Sequence, residues 1–273
     1  MAKLWDAHMH TDYSGDSEAP VTYMLEEAKK RGLIGVTITD HLDWDYQEDP
    51  GLFDLNVPLY LQNVGGIASD YTSDDFSVAV GIELGLQEHL AERHRELLAE
   101  NHFDYVIGSI HVVNGRDPYY DPYFEGRSPR ECYCEYLDCM LSNLQSFSDI
   151  DALGHLDYIV RYAISHFGVT DAMMNYTIYE ELISAILSFL IKKDIALEIN
   201  TGAYRNGMSE PNPSFDIIRA YYNLGGRLIT IGADAHKPED IALGFDDLPS
   251  RLRYIGFSSY AVFTDRKITE RPL

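Results

Sequence analysis

Six of the ten histidines in this chain lie in short polar segments that follow apolar runs. They are His8, His10, His41, His111, His155 and His236. Two carboxylates, Glu83 and Asp234, also follow such runs, and Asp16 lies in the loop after the H-x-H pair. Imidazole and carboxylate groups that recur at the ends of strands are the ligands from which a site for several metal ions is built.

Each ligand candidate alone is weak evidence for a metal site, but together they are strong evidence for one. On an extended segment, residues two apart point to the same side, so His8 and His10 can reach one metal, and Asp234 and His236 repeat this spacing. Each group alone has an ordinary alternative, such as a structural histidine, a capping aspartate or a salt-bridge partner. Their shared position after successive apolar runs favours a common site over chance.

The number of candidates indicates more than one metal ion. Nine ligands exceed the four of a tetrahedral zinc site and suit two or three metals that share a bridging carboxylate. Mixed imidazole and carboxylate ligands fit zinc, iron or manganese without deciding among them. Four histidines fall outside the pattern and are predicted to be structural or surface residues: His89, His94, His102 and His166.

Seven short apolar runs predict strands that are buried on both faces. Helical patterns separate most of them, at 20–31, 89–101, 128–145, 175–193 and 215–223. Two long irregular stretches also follow strand ends: 42–76 is acidic, and 112–126 is rich in Tyr, Pro and Asp. The first stretch has room for one short helix after Pro58. Alternating strands and helices predict an α/β fold with parallel βα units, and about seven units favour a barrel. Its active face would lie at the carboxyl ends of the strands.

Length and charge restrict the class of protein. The chain of 273 residues fits one barrel domain over residues 1–273, and its net charge of −23 argues against nucleic-acid partners. An anionic substrate would need local cations, which bound metals supply. The three cysteines, the absence of a signal-peptide pattern and the short apolar stretches predict a cytoplasmic protein without a membrane segment.

The ligand motifs, in this order, resemble the PHP (polymerase and histidinol phosphatase) family from His8 to His236. The resemblance implies a distorted, TIM-like (β/α)7 barrel with up to three metals. It implies that His8, His10, Glu83 and Asp234 bind the first metal. Glu83 would also bind the second metal, together with His111 and His155. The third metal would be bound by Asp16, His41 and His236. The family often has histidine at position 16, so the aspartate is a departure.

Two further segments, 154–162 and 197–201, resemble the monofunctional histidinol-phosphatases. This resemblance implies a metal-dependent phosphomonoesterase of histidine biosynthesis that hydrolyses L-histidinol phosphate to L-histidinol and phosphate. A hydroxide that bridges two metals would attack phosphorus in line, and Asp234 or His41 would protonate the leaving alkoxide.

Three arginines are candidates for binding the phosphate of this substrate. Arg161 lies six residues past His155, Arg116 lies five past His111, and Arg205 is a third candidate. Guanidinium groups bind phosphate oxygens well, although each arginine could instead pair with a nearby surface carboxylate. Asp43, Asp45 or another acidic loop residue would recognise the ammonium and imidazole of the substrate.

Three alternatives stay open from the sequence. Another PHP activity, such as a phosphotyrosine or nucleotide phosphatase, would use the same ligands. A metal-dependent amidohydrolase also begins with H-x-H on a barrel strand, but such enzymes commonly bridge their metals with a modified strand-end lysine, where this chain has Glu83. A non-catalytic metal-binding protein would not need arginines beside the ligands. The oligomeric state is not predicted.

Overall fold

The computed structural model describes residues 4–172 and 174–273, except for the side chains of residues 169–172. Within these residues, eleven β-strands and eight α-helices alternate along most of the chain. The strands are β1 (Trp5–Asp6), β2 (Gly35–Ile38), β3 (His41–Leu42), β4 (Ser77–Val80), β5 (Ile82–Gly85), β6 (Val106–Ser109), β7 (Ala152–Leu153), β8 (Ala196–Asn200), β9 (Ile229–Gly232), β10 (Ser259–Thr264) and β11 (Lys267–Pro272). The helices are α1 (Val21–Lys30), α2 (Val57–Tyr71), α3 (Ala91–Glu100), α4 (Pro129–Ser146), α5 (Val160–Ala172), α6 (Glu180–Lys193), α7 (Phe215–Asn223) and α8 (Leu248–Ile255).

The first nine strands form two parallel sheets. One has the order β1-β2-β4 and the other the order β3-β5-β6-β7-β8-β9. Two residues separate β2 from β3 and one residue separates β4 from β5, so each pair acts as one interrupted strand. Every residue of β2, β5, β6, β8 and β9 is buried, which explains why these strands appear in the sequence as nearly continuous apolar runs.

The segment that follows β1 closes the barrel against β9. Ala7 N donates to Ile231 O at 2.9 Å, and Asp234 N donates to His8 O at 2.8 Å. A parallel bridge pairs Met9 with the residue after Asp234, Ala235. Counting each interrupted strand once, seven short parallel strands surround the interior. The predicted α/β fold, a distorted TIM-like (β/α)7 barrel, is confirmed.

Local signals in the sequence predict most of the helices. The patterns at 20–31 and 215–223 correspond to α1 and α7. At the start of α4, the Ser128 hydroxyl accepts from Glu131 N and the Glu131 carboxylate accepts from Ser128 N, as a capping box requires. None of the helices in the described part of the chain is both long and apolar enough to cross a membrane.

Some elements differ from the sequence prediction. The helix predicted at 175–193 begins only at Glu180, because Asn175 Oδ1 accepts from Thr177 N and holds a turn before it. Helix α2 has fifteen residues and is therefore longer than the short helix predicted after Pro58. The adjacent glycines Gly65 and Gly66 have low helix propensity and weaken the helical pattern in the sequence. Helices α5 and α8 and the hairpin β10–β11 are not predicted.

The antiparallel hairpin β10–β11 lies at the amino ends of the barrel strands. Arg266 Nε donates to Asp151 Oδ1 at 2.9 Å, just before β7, and Asp265 N donates to Asp104 Oδ1 at 2.9 Å, just before β6. The Tyr260 hydroxyl accepts from the backbone of β1. The hairpin therefore covers one end of the barrel, and the carboxyl ends of the strands form the other.

Candidate active site

The carboxyl ends of the barrel strands bring all nine predicted ligands into one cluster. The deepest members are at most 3% exposed: His8, His10, Glu83, His155 and Asp234. The side chains of His236 and Asp16 are 21% and 38% exposed and lie nearer the surface. The cluster of candidate ligands thus extends from the barrel interior to its mouth.

The first group of ligands surrounds the H-x-H pair. The Nε2 atoms of His8 and His10 are 3.0 Å apart, as expected for residues on the same side of an extended segment. Asp234 Oδ1 lies 3.3 Å from His10 Nε2. Glu83 Oε2 lies 3.2 Å from His8 Nε2. Four donor atoms therefore converge on one small volume.

Glu83 faces two ligand groups with its two oxygen atoms. Oε2 lies near His8 and His10 and is 3.1 Å from His41 Nδ1. Oε1 lies 2.9 Å from His155 Nε2 and 3.4 Å from His111 Nε2. A carboxylate divided between two groups in this way has the geometry of a bridging ligand.

A third group of ligands lies at the mouth of the barrel. Asp16 Oδ2 is 3.0 Å from His236 Nε2 and 3.7 Å from His41 Nε2. The imidazole of His10 stacks between the other two rings, with centroid distances of 4.2 Å to His41 and 4.1 Å to His236. The third group is therefore continuous with the first.

The residues present fit bound metal ions. Glu83 Oε2 is buried and accepts no hydrogen bond from the described residues, although imidazole nitrogens surround it. Burial, together with His236 and His41, holds the pKa of His10 well below its ordinary value. Burial raises the pKa of Glu83, but His8, His41 and His111 outweigh it and hold the pKa well below its usual range. Both side chains are thus deprotonated, as metal ligands must be. At His8, His41 and His111 the nearby carboxylates outweigh burial and raise the pKa, so a bound metal would displace protons from these imidazoles.

Buried acceptors hold the far side of several imidazoles. His111 Nδ1 lies 2.6 Å from Asp43 Oδ1, and His10 Nδ1 lies 3.0 Å from the Ser14 hydroxyl. A Cβ atom at Gly85 would lie 1.9 Å from Asp43 Oδ1, so only glycine at that position leaves room for Asp43. A hydrogen bond at Nδ1 fixes the tautomer and turns Nε2 toward the cluster.

Asp43 and Asp45 do not line the cavity in the structure. Asp43 is 3% exposed and lies behind His111, whereas Asp45 is at the surface, 2.9 Å from His89 Nε2. Besides the ligand candidates Asp16 and Asp234, two acidic residues line the cavity among those described: Asp117, which is 5% exposed, and Asp240, whose Oδ2 lies 3.9 Å from Nη1 of Arg205. The only indication of Asp117 in the sequence is its position in the Tyr- and Pro-rich stretch 112–126.

Arg161 lies at the centre of a buried hydrogen-bond network. Its Nη1 donates to Asp234 Oδ2 at 2.9 Å, its Nη2 to Asn200 Oδ1 at 2.8 Å and its Nε to Asn212 Oδ1 at 2.7 Å. Asp234 has φ of +52°, a left-handed conformation that costs a residue with a side chain about 1–3 kcal/mol. These contacts hold Asp234 so that Oδ2 faces Arg161 and Oδ1 faces the histidines.

The other two predicted arginines lie in different surroundings. Arg205 lines the same cavity, and its guanidinium donates to the backbone carbonyl of Asp234. Arg116 instead lies 3.0 Å from Glu135 of α4 and beside the ring of Tyr123, and it is not among the described residues that line the cavity. The structure therefore brings Arg161 and Arg205 to the ligand cluster and leaves Arg116 outside it.

The ligand cluster forms the floor of a cavity of about 400 Å³. Three cationic side chains line the cavity, and two of them, Arg161 and Arg205, lie beside Asp234; the third is Lys237. Asp117 lies among the aromatic side chains of the lining, which are Tyr46, Phe53, Tyr119, Tyr158 and Tyr162. The Tyr46 hydroxyl donates to Asp117 Oδ2 at 2.8 Å. The lining therefore offers both an anion-binding region and an acidic, aromatic region.

The four histidines outside the sequence pattern are also outside the ligand groups formed by the described residues. His89 and His102 are exposed. The Nε2 atom of His89 lies 2.9 Å from Asp45 Oδ2, and that of His102 lies 3.0 Å from Asp265 Oδ1. His166 stacks on Phe124, with ring centroids 4.5 Å apart. His94 is fully buried against aromatic rings.

Comparison with known proteins agrees with this geometry. The PHP domain model matches residues 6–202. A protein of Clostridium acetobutylicum named "probable histidinol-phosphatase" is 33% identical over 242 residues, which cover 89% of this chain and 90% of the relative. The histidinol-phosphatase of Lactococcus lactis is 30% identical over 270 residues, which cover 98% of this chain and 97% of the relative.

A solved structure is similar over almost the full length. It is the crystal structure of the histidinol phosphate phosphatase of Lactococcus lactis in complex with zinc, L-histidinol and phosphate. The TM-score is 0.88 at 28% sequence identity, and the match covers 98% of this chain and 99% of the other. Because the family model matches well over half of the chain and the relatives match nearly all of it, the chain belongs to the PHP domain family, as its motifs predict.

Proposed function

We propose that this protein is a metal-dependent histidinol-phosphatase, which hydrolyses L-histidinol phosphate to L-histidinol and phosphate in histidine biosynthesis. The observation that carries the proposal is the cavity in which the ligand cluster, the buried Arg161 and the acidic, aromatic residues around Asp117 meet. The Lactococcus lactis relative, of similar fold and length, was crystallised with zinc, L-histidinol and phosphate.

The charges along the cavity match the charges of the substrate. The phosphate group would bind above the ligand cluster, beside Arg161 and Arg205, because guanidinium groups donate several hydrogen bonds to phosphoryl oxygens. The ammonium and imidazole would bind near Asp117, where a carboxylate and aromatic faces both favour a cation. A phosphate ester whose alcohol part carries no charge would make only the first set of contacts.

Two or three divalent transition metals, zinc, iron or manganese, would be held by the three ligand groups. When bound, such ions lower the pKa of a coordinated water and neutralise charge on phosphoryl oxygens. Around them, Arg161 holds the Asp234 carboxylate in place and presents positive charge to the cavity. Protonation of the leaving alkoxide by Asp234 or His41 stays a prediction.

The experiment is a substrate panel with protein loaded with zinc, iron or manganese. We expect kcat/KM for L-histidinol phosphate to exceed that for phosphotyrosine, a nucleoside monophosphate and phenyl phosphate by about tenfold or more, since one buried charge-assisted contact is worth about 1.5–3 kcal/mol. A comparable preference for another ester would overturn the substrate assignment.

The variant Asp117→Asn tests how the preference arises. Removing the charge is expected to lower kcat/KM for L-histidinol phosphate by about tenfold and to leave phenyl phosphate nearly unchanged, because only the first substrate carries an ammonium group. Asp121→Asn, at an exposed position in the same loop, is the matched control. Equal losses on both substrates would exclude Asp117 as the residue that recognises the cation.

A further inference from the structure

Strand β8 has an unusual place among the seven barrel strands. Among the described residues, the other six strands, or the segments directly after them, supply all of the predicted ligands at the barrel ends, and β8 supplies none. Its central residue, Glu198, is nevertheless a carboxylate that is 1% exposed inside the barrel. A buried carboxylate is costly unless it has specific partners, so its contacts indicate what it does.

Glu198 contacts two different ligand groups. Its Oε1 lies 2.6 Å from Nδ1 of His8, in the first group. Its Oε2 accepts from the backbone N–H of His155, in the second group, at 2.8 Å. Asn200 Nδ2 donates to the same oxygen at 3.1 Å. The two oxygen atoms of the carboxylate thus hold one residue from each of the first two ligand groups.

The contact with His8 determines which ring nitrogen is available as a ligand. When Nδ1 carries the proton and donates it to Glu198, the lone pair of Nε2 points toward Glu83 and His10, which lie 3.2 Å and 3.0 Å away. The opposite tautomer would lose the hydrogen bond and direct a proton at the other ligands.

The neighbouring strand is shaped to allow this contact. A Cβ atom at Gly232 of β9 would lie 2.4 Å from the Cβ of His8 and 2.9 Å from Oε1 of Glu198. Any residue with a side chain at that position would therefore push the His8 and Glu198 side chains from their places. The close approach is an independent observation that this pair is built into the barrel.

We propose that Glu198 is a positioning residue for the metal site, which fixes the tautomer and orientation of His8 and the backbone at His155 and so sets the spacing between the first two ligand groups. The inference rests on the proposed metal-dependent function. Glu198 acts through its neighbours, since its oxygen atoms are occupied by His8, His155 and Asn200.

The first test measures zinc affinity by competition with a chromophoric chelator, without substrate. Glu198→Gln has one acceptor oxygen in place of two and cannot satisfy both His8 and His155. We expect it to bind zinc about 10–100-fold more weakly than the wild type. Asp151→Asn is the matched control, because Asp151 is a buried carboxylate at the opposite end of the barrel, and its zinc affinity should equal that of the wild type.

A second variant and a measurement on the unaltered protein cover the case in which Glu198→Gln fails to fold. Glu198→Asp keeps the charge but is one methylene shorter, so it too should weaken zinc binding. In the zinc-loaded wild type, two-bond ¹H–¹⁵N correlations of the imidazoles should show His8 protonated at Nδ1 and ligated through Nε2. Ligation through Nδ1, or wild-type zinc affinity in the folded variants, would overturn the inference.

The outcomes separate this inference from the proposed function. Failure of zinc-loaded wild-type protein to hydrolyse L-histidinol phosphate would refute the function, because the panel measures turnover. Unchanged zinc affinity in Glu198→Gln would refute only the positioning role. At saturating zinc, the variant should keep the wild-type KM and show a lower kcat, since Glu198 does not line the substrate cavity formed by the described residues.

Discussion

Replacing His94 with phenylalanine is expected to make the protein less sensitive to acid. His94 lies on α3 and is fully buried; its ring stacks on Trp44 with a centroid distance of 5.3 Å and packs at a tilt of 52° against Phe147 at 5.2 Å. Neither of its ring nitrogens has a hydrogen-bond partner among the described residues. The imidazole therefore packs as an aromatic ring, which phenylalanine can replace with similar volume and shape.

The magnitude follows from the pKa of this imidazole. Burial lowers the pKa of His94 from its ordinary value of 6.5 to about 4, and the nearby charge of Arg93 adds to this effect, although Asp43 opposes it. The folded protein thus binds the proton more weakly than the unfolded chain does, and acidification favours unfolding. Relative to neutral pH, His94 therefore lowers the free energy of unfolding by about 2 kcal/mol near pH 5 and by about 3 kcal/mol near pH 4.

The assay is urea denaturation of metal-free protein at several pH values from neutral to about pH 4. The difference in the free energy of unfolding between His94→Phe and the wild type should be constant above about pH 7 and should grow in favour of the variant as the pH falls. Leu59→Ala is the control, because Leu59 is 48% exposed and carries no titratable group, so its difference from the wild type should not depend on pH. A pH-independent difference between His94→Phe and wild type would refute the reasoning.

Three further predictions concern the cavity and the ligand cluster. Arg161→Ala should lower kcat/KM for the phosphate ester by about 10²–10³-fold in steady-state kinetics, because a buried cation beside the phosphate site is lost. Glu83→Gln should lower the bound metal measured by elemental analysis, since a neutral amide bridges two cations poorly. Gly85→Ala should weaken metal binding in chelator titrations about 10–100-fold, because its Cβ displaces Asp43 from His111.

Each of these predictions has a contrary result and a control. Unchanged kinetics in Arg161→Ala would remove that side chain from the phosphate site, and Arg116→Ala, outside the cavity, should behave like the wild type. Full metal content in Glu83→Gln would exclude a bridging role. Gly66→Ala, at a glycine of α2 with open space around its Cβ position, is the control for Gly85→Ala.

The sequence was sufficient to place the ligand candidates at one end of one fold. Strand-end histidines are visible because buried parallel strands appear as apolar runs, and polar residues directly after them must lie at the carboxyl edge. The spacing of His8 and His10 likewise depends only on local geometry, since extended backbone directs alternate side chains to the same side. Their Nε2 atoms are indeed 3.0 Å apart.

Sequence position did not distinguish the two arginines that follow strand-end histidines. Arg161 is the second residue of α5, and Asn200 and Asn212, which are distant in sequence, direct its guanidinium toward Asp234. Arg116 closes a tight turn with Val113, whose N–H donates to Arg116 O at 2.8 Å, and this turn directs the side chain toward Glu135 of α4. The turn at Arg116 is local, but the residues that bind the two guanidinium groups, Asp234 for Arg161 and Glu135 for Arg116, are distant in sequence.

The sequence by itself thus determined the alternating strands and helices, the strand ends that carry the polar clusters and the identity of the ligand candidates, because each depends on local periodicity and on the order of elements. Closure of the barrel between the segment after β1 and β9 is seen only in the tertiary structure. Only the tertiary structure decided which oxygen of Glu83 faces which histidines, where Arg161 points, and that Glu198 lies behind His8. These features depend on side-chain contacts between strands far apart in the chain, where shifts of an ångström decide whether two atoms meet.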